Sequence, residues 1–115
     1  MNEPKLSKDA DALICILYKE YLQRRKSGAP KADARCFGGS EYIQANLMKK
    51  WSVEDVDETC RELSRNELLN CLFLDNSTAE ILLSDKAVVC MENRFSQGLS
   101  SVLSYLERLR ALLPW

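Results

Sequence analysis

The stretch Ser52–Leu83, SVEDVDETCRELSRNELLNCLFLDNSTAEILL, decides the fold. Ser52 and Asp55 form an S-x-x-D capping box, which predicts a helix starting at about Val53. Val56, Thr59, Cys60 and Leu63 recur at helical spacing and form its inward face. Asn66 suits a left-handed residue at its end. Two apolar, strand-length segments follow, LLNCLFL (68–74) and TAEILL (78–83). They flank Asp75-Asn76-Ser77, three residues that favour a tight turn. The centre of the chain therefore reads as a capped helix running directly into a hairpin.

Upstream, Ser40 can cap a helix over EYIQANLMKKW (41–51), where Ile43, Leu47 and Trp51 align on one face. That alignment predicts a largely buried Trp51. Gly38-Gly39 breaks the chain before this helix, and Arg35-Cys36-Phe37 has the length of a very short strand. The first helix is expected over Lys8–Lys26, capped by Ser7. Ala10, Leu13, Ile14, Leu17, Tyr21 and Leu22 give it an apolar face, and Arg24, Arg25 and Lys26 suit its negative end.

Downstream, Ser84 can cap a last helical segment that Pro114 stops. Phe95, Leu99, Val102, Leu106, Leu109 and Leu113 follow a heptad a/d pattern, and Gly98 is placed to kink or divide the helix. The stripe packs either on its own domain or against a second copy. Its breadth, with Leu103, Tyr105 and Leu112 alongside, favours a homodimer seam through Phe95, Leu99, Val102, Leu103, Leu106, Leu109 and Leu113.

Composition narrows the chemistry. With 115 residues, 46% of them hydrophobic and 29% charged, the chain suffices for one ordered domain. It has no histidine, which removes the commonest general base and every Ser-His or Cys-His pair. Cys15, Cys36, Cys60, Cys71 and Cys90 are scattered without a C-x-x-C, so neither a metal nor a disulfide framework is expected. No enzyme and no cofactor are expected. The N-terminal segment is interrupted by charges and no apolar run has membrane-spanning length, so a cytoplasmic protein without a membrane partner is expected.

The order of helix, short strand, helix, tight turn, helix, hairpin and long helix resembles the winged helix-turn-helix superfamily. The implied fold is α+β, three helices plus a β-hairpin wing over residues 7–83, with a long C-terminal helix over 84–115. That last helix resembles the dimerisation helix of small bacterial regulators of the PadR type. The resemblance implies a homodimer that binds double-stranded DNA and regulates transcription. The helix from Val53 would read the groove, and residues 74–79 would be the wing. The DNA-contacting candidates are Lys49 and Lys50 at the turn, Ser40 and Ser52 at helix N-termini, and Arg61 and Arg65 on the reading helix.

Charge argues the other way. Residues 1–51 hold ten Lys/Arg against six Asp/Glu, whereas residues 52–115 hold six against eleven. The reading helix carries Glu54, Asp55, Asp57, Glu58 and Glu62 and only two arginines, and the expected wing has no Lys or Arg. Asp57 and Glu58 stand one helical turn before Arg61, placed to neutralise it, and Glu62 is placed to do so for Arg65. The alternative is a protein-interaction module that offers an acidic surface to a basic protein partner.

Overall fold

The structure is a computed structural model that describes residues 5–74 and 77–110. Helix α1 (Lys8–Lys26) has the expected bounds. Ser7 Oγ accepts the Ala10 N–H at 3.1 Å, and the acidic first turn and basic last turn complement the helix dipole. Leu13, Ile14, Ile16, Leu17 and Tyr18 are buried along it, so α1 is the central element of the core. A single turn of helix, α2 (Lys31–Ala34), follows. Cys36 then bridges Leu82 antiparallel, with Phe37 N–H donating to Ile81 O and Leu83 N–H to Arg35 O, both at 2.9 Å. The expected short strand is this bridge.

Helix α3 (Ser40–Asn46) is shorter than the expected helix to Trp51. The Leu47 and Met48 N–H groups both converge on Ile43 O, at 2.8 and 2.9 Å, which closes the helix. Met48 then drops fully into the core and Trp51 is left half-buried, correcting the expectation for Trp51. Gly39, not Ser40, occupies the cap position.

Helix α4 (Val53–Arg65) begins as predicted, with Ser52 Oγ accepting the Asp55 N–H at 3.1 Å. Val56, Thr59, Cys60 and Leu63 are its buried residues. The left-handed position falls one residue beyond the expected Asn66, at Glu67, with φ of 63°. Strands β1 (Leu69–Leu74) and β2 (Ser77–Leu83) pair antiparallel. The register shifts between Leu72, opposite Glu80, and Phe73, opposite Thr78, leaving Ala79 as the extra residue of a bulge.

The last segment is two helices, α5 (Asp85–Arg94) and α6 (Leu99–Arg110), divided at Gly98, whose φ of 75° suits glycine. α6 lies against α1. Phe95, Val102 and Leu106 are buried in this packing, Leu99 and Leu109 are half-buried, and Leu103 is exposed. Leu113 lies outside the described residues. Phe95, Val102 and Leu106, expected in a homodimer seam, are thus spent on the chain's own core, whereas Leu103 stays exposed. A polar clasp locks the arrangement. Arg94 donates to both Asp11 oxygens, at 2.5 and 3.2 Å, and the Tyr105 hydroxyl donates to the same carboxylate.

Among the described residues the fold is α+β, six helices with one two-stranded hairpin. No helix among them is long and apolar enough to cross a membrane.

Candidate functional site

Of the residues singled out in the sequence, Ser40 and Arg61 meet where α3, α4 and the hairpin join, and Asp57 organises that junction. Its side chain is 13% exposed. One oxygen accepts the Ser40 hydroxyl at 2.9 Å, the Thr78 N–H at 2.7 Å and the Thr78 hydroxyl. The other accepts Arg61 Nε at 3.0 Å. Burial opposes ionisation of Asp57, but the donors from Thr78, Arg61 and Ser40 outweigh it and hold the carboxyl below its ordinary value. Gly39 completes the junction. A Cβ placed there would stand 2.8 Å from Thr78 O, so only glycine lets the start of α3 approach the bulge this closely.

These bonds settle what several candidates do. Ser40 is 1% exposed and its hydroxyl is spent on Asp57, so it offers nothing to a phosphate. Ser52 is exposed, with its oxygen occupied as the α4 cap. Arg61 pairs with Asp57 as its spacing predicts, and its guanidinium also lies 4.4 Å over the Phe73 ring. Glu62 does not serve Arg65. It accepts the Ser7 N–H at 2.8 Å and the Ser7 hydroxyl at 2.7 Å, joining α4 to the start of α1. Lys49, Lys50 and Arg65 remain exposed.

The outward side of α4 is acidic, with Glu54, Asp55 and Glu58 exposed. Asp9, Asp55, Glu58, Glu62 and Arg65 line a cleft of about 260 Å³ between α4 and the start of α1. The hairpin beside α4 is apolar and exposed, with Leu72 at 56%, Phe73 at 36% and Leu74 at 54%. In the sequence these leucines belong to an apolar, strand-length segment. The signal available was the imperfect alternation of LNCLFL, which leaves an apolar residue on each side of a two-stranded ribbon.

Other features are structural. Burial raises the Cys15 thiol to about 12, the Cys71 thiol to about 11 and the Cys60 thiol further still, so none of the three is poised as a nucleophile. A groove of about 350 Å³ lies beside the Asp11–Arg94 pair, between Leu6, Ile14, Leu68 and Met91, and of its three charged residues Asp11 and Arg94 satisfy each other. Among the described residues no cluster of His, Cys, Asp or Glu could hold a metal ion.

No protein-family model matches the sequence, and comparisons with curated proteins and with solved structures return no match.

Proposed function

We propose that this protein is a protein-interaction module on a winged-helix-like scaffold, presenting α4 and its hairpin to a basic partner. The order of α1, the Cys36 bridge, α3, α4 and the hairpin supports that scaffold. The observation that carries the function is the surface at the groove-reading position. Glu54, Asp55 and Glu58 point outward, Arg61 is committed to Asp57 and Phe73, and the hairpin offers leucine and phenylalanine. Phosphates would be repelled by the carboxylates and find few cations on the hairpin. A partner carrying Lys or Arg beside an apolar anchor meets complementary charge and an apolar seat.

The DNA-binding, transcription-regulator reading rests on Lys49 and Lys50, exposed in the turn just before α4. One pair of double variants separates the two. Copurified partners are identified, purified and titrated against the wild type, Glu54→Gln with Glu58→Gln, and Lys49→Ala with Lys50→Ala. The expected result is at least tenfold weaker partner binding in the glutamine variant and little change in the alanine variant. Salt-sensitive binding of duplex DNA that the alanine variant loses and the glutamine variant strengthens would reverse the assignment.

A further inference from the structure

The hairpin has an open side that its hydrogen bonds identify. Ile81 O and Leu83 N–H bond to the Arg35–Phe37 segment, so the main-chain groups of Ile81 and Leu83 face away from β1. Main-chain direction alternates along a strand, so Leu82 and Glu80 face β1 and meet Asn70 and Leu72. Leu68 O agrees with this parity, since it accepts Ser84 N–H across the same ladder. The main-chain groups of Cys71 and Phe73 consequently point out of the sheet, where no strand lies beyond β1 among the described residues.

Exposed edges are normally blunted by a charge or a proline. β1, LNCLFL, has neither. Its side chains are equally accommodating. Leu72 and Leu74 stand on the face away from α4, more than half exposed, and Phe73 lies on the α4 face under Arg61. A strand added beside β1 would extend the Cys36–β2–β1 ladder and cover these three residues at once. Glu80 pairs across the ladder with Leu72, and Glu54 stands one turn before Asp57 and Glu58 one turn before Arg61, which covers Phe73; Arg65 is exposed and Arg61 is already paired, so the described charge beside the hairpin is acidic on balance.

We propose that the β1 edge binds an extended segment of another protein, apolar at alternate positions and flanked by lysine or arginine, by strand addition. This rests on the protein-interaction reading and names its mode. The ladder supplies affinity through main-chain bonds, Leu72 and Leu74 select apolar side chains, and the surrounding carboxylates select the basic flanks.

The test uses the intact protein and a capped peptide, KKVTVTVKK, with two controls. One control replaces each lysine by glutamate, and the other carries N-methyl groups on alternate residues, which removes the N–H groups needed for a ladder. Binding is followed by calorimetry and by residue-resolved amide exchange. The expected result is saturable binding, weakened at least tenfold by either control. The Cys71 and Phe73 amides should slow at least tenfold on binding, while the Leu72 amide, already in the native ladder, changes little. Peptide binding that ignores N-methylation but weakens in the Glu54→Gln, Glu58→Gln variant would overturn strand addition and leave the acidic-face reading standing. Absence of binding by the lysine peptide overturns the inference. Concentration-dependent protection of Cys71 and Phe73 without peptide also overturns it, by assigning the edge to a second copy of the chain.

Discussion

Two ends of this molecule use the same polar device for opposite purposes. At one end Asp11 gathers Arg94 and Tyr105 and fastens α1 to α5 and α6. At the other Asp57 gathers Ser40, Arg61 and Thr78 and fastens α4 to α3 and the hairpin. Behind the Asp11 clasp the apolar residues are shut away, with Val102 fully buried and Leu106 nearly so. Beside the Asp57 clasp they are left outside, at Leu72, Phe73 and Leu74. A carboxylate fed by several donors fixes the elements it joins, and whether that closes a core or displays a surface depends on what lies beyond them.

The largest expected effect comes from removing the second clasp. Asp57→Ala leaves the Arg61 guanidinium and the Thr78 N–H without their acceptor and should cost about 3 to 4 kcal/mol, read from urea denaturation. An effect under about 1 kcal/mol would mean that the hairpin is held by its apolar contacts alone. Leu106→Ala probes the closed end. Because Leu106 is 6% exposed, the cost should be about 2 to 3 kcal/mol. Near-neutrality there, with loss of self-association in sedimentation, would restore Leu106 to an intermolecular seam.

Gly39→Ala tests how closely α3 approaches the bulge. The added methyl meets Thr78 O, so a loss of about 1 to 2 kcal/mol is expected, with shifted Thr78 and Ala79 amide resonances. Unchanged resonances and stability would show that the approach is looser.

Acid should weaken both ends. Burial raises the pKa of Asp11 and of Asp57, yet in each case the hydrogen-bond donors prevail and the folded value lies below the ordinary one. A depressed carboxylate contributes stability that is complete above the unfolded pKa of about 4 and is lost as pH falls through the folded value. Stability should therefore decline below about pH 5, and Asp11→Asn or Asp57→Asn should each flatten the decline. Parallel acid curves for all three proteins would contradict this. The smallest effect on folding is expected from Leu72→Thr with Leu74→Thr, within about 0.5 kcal/mol because both leucines already face solvent. A loss comparable to that of Leu106→Ala would mean that the hairpin tip is covered in the native state.

The elements legible in the sequence were those built from neighbours in the chain. The Ser7 and Ser52 caps, the α1 and α4 apolar faces, the Arg61–Asp57 pair and the hairpin all depend on residues within a turn or two of each other. Their physics is complete at that range. Tertiary structure decided everything that required a distant partner. The heptad spacing showed that one face of the C-terminal segment is apolar, but spacing does not say what covers an apolar face, and here it is α1. Ser40 has the residue type of a cap, yet Asp57, 17 positions away, takes its hydroxyl. Glu62 stands one turn from Arg65 and instead binds Ser7, 55 positions away. The open edge of β1 follows from which neighbour β2 already has. A strand's sequence carries its propensity, and only the assembled sheet determines which of its hydrogen-bonding groups remain unmet.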